Sequence, residues 1–233
     1  MSRLIDLTVN ALSLMPTPIM RHFSKKYIAG ETIEQALDCL AAYNSAGHPG
    51  IIDILGEDAI GEAGAREALA QYKVCSTKLK ASNHDAYVSA KPTHFGLRTS
   101  EELCFELYSD LASHSAGHDQ FLRVEMEDHT TTDATLRIFK RLIQVHPNVG
   151  LVLQSRLFRT KADIEDLLQA LPESRTLNIR LVKGIYLEPA DIAHTAYAPI
   201  ADAYVEQAKM LFAGGASVSL ATHDEPMAER LFA

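Results

Sequence analysis

The strongest constraint on this chain is an alternation. Six short apolar runs, at 51–55, 86–90, 121–126, 149–154, 177–182 and 217–221, are each followed by a stretch of helical periodicity. They recur at intervals of about 30 to 35 residues, which calls for a parallel sheet with right-handed crossovers. The helical stretches carry apolar residues on one face: Leu103, Leu107 and Leu111, then Leu136, Phe139, Leu142 and Ile143, then Ile164, Leu167, Leu168 and Leu171. Thr99 with Glu102, and Thr160 with Asp163, have the spacing of helix-capping pairs. The Ala-rich helix after the first run is expected to end near Tyr72, the fifth to run over about 199–212, and the last to begin near Glu225.

Residues 1–46 read as helices. Thr32 and Gln35 form a capping box ahead of Ile33, Ala36, Leu37 and Leu40, which fall at i, i+3, i+4 and i+7. The pattern changes at Gly47-His48-Pro49-Gly50, so an N-terminal helical segment, 1–46, should precede an alternating domain, 47–233.

Polar residues gather where the strands end: Asp53 and Glu57, Lys91, Glu125 and Glu127, Gln154 and Arg159, Arg180 and Lys183, Thr222 and His223. In a (β/α) barrel all those ends share the face on which active sites are built. The expected class is therefore α/β, a (β/α)8 TIM-barrel type with six βα units visible, hence incomplete, plus the N-terminal helices. An open doubly wound sheet is the alternative, but the glycine-rich turn expected after its first strand is absent.

Composition narrows the function. A formal charge of -8 argues against a general nucleic-acid binder, whose phosphate contacts need clustered Lys and Arg. No apolar run approaches the roughly 20 residues of a membrane span. The start, 1–20, lacks the pattern of a signal peptide; a helix there could rest on a neighbour or on a membrane surface, although Asp6 and Asn10 weaken the second idea. Cys39, Cys75 and Cys104 are odd in number and far apart, as in reduced thiols of a cytoplasmic protein. His114 and His118, four apart, could hold zinc but read as a solvated helix end.

The fifth strand draws most attention. Arg180-Leu-Val-Lys-Gly-Ile-Tyr186 puts two cations at the end of a mostly buried strand, where they need an anionic partner, and Gly184 allows a close approach. This run resembles the fifth-strand signature of the proline dehydrogenase family. Ile52-Asp-Ile-Leu-Gly-Glu57, Val88-Ser-Ala-Lys91, Val124-Glu-Met-Glu127, Leu153-Gln-Ser-Arg-Leu-Phe-Arg159 and Ala221-Thr-His223 are similar, in the same order, to its first, second, third, fourth and sixth strands.

The resemblance implies a barrel with FAD over its mouth and L-proline beneath. Hydride passes to the flavin, 1-pyrroline-5-carboxylate forms, and electrons go on to a quinone. By the same resemblance Arg159 is the arginine near flavin N5, and Gln154, Arg180, Lys183, Thr222 and His223 hold the cofactor. Lys91 pairs with the substrate carboxylate, Tyr186 packs beside the substrate, and Glu125, where the family usually has Asp, orients Lys91. No resident metal is implied. A cytoplasmic location follows, with room for peripheral membrane contact and a homo-oligomer. The family continues into two more strands and an arginine-bearing helix, so the chain as written is expected to self-associate and to oxidise proline poorly.

Three other readings stand beside it. Asp53, Glu57, Glu125, Glu127 and His223 could serve a divalent-metal lyase or isomerase. Lys183 could form a Schiff base. The chain could also be an inactive fragment acting through partner binding.

Overall fold

The structure, a computed structural model, describes residues 28–232. The chain divides into two compact units between Gly50 and Ile51. In the first lies α1 (Ile33–Ser45), capped by Thr32, which accepts from Gln35 N at 3.3 Å; the Gln35 side chain accepts from Glu31 N at 2.8 Å, one residue ahead of the cap that the capping box calls for. The rest of the expectation for 1–46, including the reading of 1–20, lies outside the described residues.

The alternation then runs β1 (Gly50–Asp53), α2 (Gly61–Ser82), β2 (Ala86–Ala90), α3 (Glu101–Ala116), β3 (Leu122–Val124) and α4 (His129–Val145). It continues with β4 (Val149–Gln154), α5 (Thr160–Ala170), β5 (Asn178–Val182), α6 (Tyr197–Ala213), β6 (Ser217–Leu220) and α7 (Glu225–Phe232). The six strands form one sheet in strict chain order, and the pairs from β2 to β6 are parallel. A doubly wound sheet reverses its order at a switch point. Here there is no reversal, so the strands form an arc of barrel.

Alternation along each strand divides its side chains between two faces. Leu122, Val124, Leu151, Leu153, Ile179 and Leu181 are at most 2% exposed. Val152, Gln154, Arg180 and Val182, the intervening positions of β4 and β5, line a cavity on the other face. One layer lower on this inner face is Arg123, aligned with Gly150, whereas Arg180 is aligned with Val152. Arg123 is buried, and its guanidinium donates to the carbonyls of Asn178 and Leu151 and stands over the Phe121 ring. Gly150 makes room for it: a Cβ there would lie 2.5 Å from the Arg123 Nη1.

Three local expectations need correction. The helix α2 runs ten residues past Tyr72, because Tyr72, Cys75, Ser76 and Leu79 extend its buried stripe. The cap of α3 is Ser100, which accepts from Leu103 N at 3.3 Å, not Thr99. Thr160 and Asp163 do not pair as a cap: the Thr160 hydroxyl donates to the Gln154 carbonyl, and Asp163 receives Arg159. His114 and His118 meet hydroxyls of α2 instead of converging on a common point, through Thr77 and Ser76 respectively.

Candidate active site

Beyond the carboxyl ends of the strands the inner face opens into a cavity of about 550 Å³. Its β1–β3 wall carries Asp53, Ser89, Lys91 and Glu125. Lys91 follows β2, and its ammonium stands 3.1 Å from Asp53 Oδ2 and 3.8 Å from Glu57. Burial pulls its pKa down, but Asp53, Glu57 and Glu125 outweigh that and leave it raised, so the ammonium stays charged. Asp53 is itself fixed by the Tyr72 hydroxyl at 3.1 Å. Glu125 accepts from Ser89 and from Arg180 across the cavity. Its hydrogen bonds therefore orient Arg180; the carboxylate that orients Lys91 is Asp53, which the sequence reading had placed at the mouth without that role.

The β4–β5 wall is built from Gln154, Arg180, Gly184 and Tyr186. The amide nitrogen of Gln154 donates to the Glu127 carbonyl at 2.7 Å, while its Oε1 is buried and has no partner. Arg180, held by Glu125 through one terminal nitrogen, buries an Nε that likewise lacks a partner. Such groups are expensive unless something completes them. Gly184 sits at φ +104°, and a Cβ there would stand 2.8 Å from Gln154 Oε1, so only glycine fits beside that oxygen without displacing it.

The remaining candidates stand outside this lining. Arg159 turns away at the start of α5, paired with Asp163 at 2.9 Å and Asp133 at 2.6 Å. Lys183 pairs with Asp224 at 3.2 Å, and Tyr197 donates to the same carboxylate at 2.8 Å. Thr222 accepts from Asp224 N, and His223 is exposed beyond β6. Glu127 is buried and receives both the backbone and the hydroxyl of Thr93; burial raises its pKa. Of the five residues of the metal reading, Asp53 and Glu57 face the same ammonium while Glu125, Glu127 and His223 have other surroundings, and no three metal-ligating side chains converge among the described residues. Two residues with a part here went unnoticed in the sequence: Asp224, and Arg156, whose buried guanidinium donates to the Tyr186 carbonyl. The run Leu153-Gln-Ser-Arg-Leu-Phe-Arg159 held two arginines, and nothing in it marked the first as the one turned inward.

Comparison with known proteins supplies names for this arrangement. The family model described as proline dehydrogenase matches residues 36–225. Proline dehydrogenase 1 of Bacillus subtilis subsp. natto is 30% identical over 202 residues, covering 87% of this chain and 65% of its own length. The proline dehydrogenase of Deinococcus radiodurans is 31% identical over 211 residues, covering 88% and 66%. The chain thus spans about two thirds of the length of these curated relatives. Among solved structures, proline utilization A from Bdellovibrio bacteriovorus superposes with a TM-score of 0.83 at 20% identity, over 92% of this chain and 27% of that one. A proline utilization A variant from Bradyrhizobium japonicum gives 0.70 at 24%, over 87% and 24%. At these identities the structures establish the barrel fold.

Proposed function

Since this chain belongs to the proline dehydrogenase family, we propose that its cavity is the site of FAD-dependent oxidation of L-proline to 1-pyrroline-5-carboxylate. The observation that carries this reading is the pair of buried, unpartnered atoms on the β4–β5 wall. Gln154 Oε1 can only accept a hydrogen bond and Arg180 Nε can only donate one. The edge of an isoalloxazine ring offers both complements, so these residues fit the cofactor. When bound, FAD supplies the acceptor for the hydride leaving the ring carbon beside the proline nitrogen and passes the electrons on to a quinone.

The chain's own residues bind and orient. Arg180, fixed by Glu125, presents a guanidinium whose geometry does not depend on the ligand. It takes the place beside the flavin that the resemblance implies for Arg159, whose own guanidinium pairs with Asp163 and Asp133. Lys183, Thr222 and His223, beyond the ends of β5 and β6, hold the more distant, anionic part of the cofactor; Lys183 exchanges Asp224 for a phosphate oxygen. Lys91 binds the proline carboxylate, its charge kept by the acids around it, and Tyr186 packs on the substrate ring. No helix among the described residues is long and apolar enough to cross a membrane. The family resemblance supports proposing a cytoplasmic location, with room for peripheral membrane contact near a lipid-soluble quinone and for a homo-oligomer.

The test is anaerobic addition of L-proline to the protein saturated with FAD. Saturable loss of the visible flavin absorbance is expected, with D-proline ineffective. Retained flavin that does not respond to L-proline would overturn the substrate assignment, and failure to retain FAD would overturn the cofactor assignment.

A further inference from the structure

The segment between β5 and α6, residues 183–196, carries Tyr186, the aromatic of the cavity wall. Nothing in its immediate sequence pins that ring. Ile185 and Leu187, on either side, are 86% and 82% exposed, so the apolar burial that orients most side chains is missing from both neighbours. The segment is held instead by Arg156. Its Nη1 donates to the Tyr186 carbonyl, and its Nε and Nη2 reach the His194 carbonyl at 3.4 and 3.3 Å. The backbone of the same residue donates to the Lys183 carbonyl at 3.1 Å and accepts from His194 N at 2.8 Å.

One residue therefore ties the loop at its start, at Tyr186 and near its end. The Arg156 stem lies under Gly184, where a Cβ would stand 2.7 Å from Cδ. From the other side, Glu188, buried, accepts from the His129 backbone at 3.0 Å and bonds its ring. That fixes the residue two beyond Tyr186 to the start of α4. A guanidinium can reach two carbonyls at once in a fixed plane, whereas an ammonium at the same place acts as a single point.

We propose that Arg156 is a positioning residue that holds Tyr186 against the bound substrate. It acts through the Tyr186 backbone and does not touch the substrate itself. The proposal rests on the reading of the cavity as the proline site, and its test separates the two.

The sequence contains no tryptophan, so Tyr186→Trp installs the sole tryptophan at the wall, whose emission can be excited apart from that of tyrosine. With Arg156 present, its emission should be that of a sheltered ring and should respond to L-proline. Adding Arg156→Ala should shift the emission to the red, make it easier to quench with acrylamide, and weaken the apparent proline affinity about tenfold, as expected for lost hydrogen bonds to a charged group. Arg156→Lys, which keeps charge and bulk, should fall between, and added guanidinium ion should partly restore the alanine variant. In the otherwise native protein, Arg156→Ala should raise the proline KM, and that effect should vanish in a Tyr186→Ala background, because the two residues act as one. Unchanged emission and quenching in both Arg156 variants would overturn the proposal. So would a fall in thermal midpoint with the fluorescence at 25 °C unaltered, or equal KM effects with and without Tyr186. If the fluorescence shifts as expected but L-proline affects no variant, the clamp stands and the proline reading fails.

Discussion

The two walls of the cavity are built on opposite principles. On the β1–β2 side every strong group has a partner: Tyr72 holds Asp53, Asp53 holds Lys91, and Glu57 stands beyond. On the β4–β5 side the polar groups are more deeply buried, yet Gln154 Oε1 and Arg180 Nε have no hydrogen-bond partner. The first wall can take a small anion by sharing an ammonium that is already satisfied, a loose and exchangeable arrangement. The second is incomplete without a ligand, and incompleteness in a low-dielectric site favours tight, directional binding. A substrate that must come and go suits the first, and a resident cofactor suits the second.

The largest effect that would sharpen this contrast comes from the residue joining the walls. Glu125→Ala leaves Arg180 mostly buried without its carboxylate, and breaking such a pair should cost roughly 3 kcal/mol or more in urea unfolding. Unchanged stability would mean that Arg180 finds water or another acid, and the β4–β5 wall would lose its claim to rigidity. Next in size, Lys91→Ala should weaken L-proline binding by about tenfold while leaving FAD affinity alone. Equal losses of both would merge the two walls into one site.

The smallest effect concerns Glu127, which stands outside the cavity lining. Burial raises the Glu127 pKa above the ordinary carboxylate value of 4.5 despite its bonds from Thr93. A carboxyl with a raised folded pKa contributes stability that is fully present below its unfolded pKa and lost as pH rises through the folded one. Glu127→Gln should therefore flatten a decline in stability above pH 4.5, a modest change visible in unfolding curves collected across pH. An unaltered pH profile would show that Thr93 compensates the charge fully.

Much of this fold was legible because strand periodicity is a strong signal. The bounds of β2 and β4 follow directly from their apolar runs, and the sequential strand order follows from the spacing. Alternation also explains Arg180: Ile179 and Leu181 had to face the helices, which put the arginine between them inside. Legibility ends where the backbone leaves the strand. After Gln154 the chain turns, the period of two is lost, and nothing in the order of residues told Arg156 from Arg159. The partner of Lys91 was hidden for a related reason, since Asp53 and Glu125 both stand at strand ends, and only the barrel's curvature decides which carboxylate an ammonium meets. Capping pairs misled by one residue at Ser100, where either neighbour has the chemistry.

If the unpartnered β4–β5 wall holds FAD, titration of flavin fluorescence in matched variants will separate it from the opposite wall. Arg180→Ala, examined beside Gln154→Leu and with Lys91→Ala as the control, should weaken FAD binding at least tenfold, each lost charge-assisted bond being worth roughly 1.5–3 kcal/mol. Gln154→Leu should weaken it less, and Lys91→Ala should leave it unchanged. Flavin affinity that is the same in Arg180→Ala and the unaltered protein, or that falls equally in Lys91→Ala, would mean that this wall does not hold the cofactor.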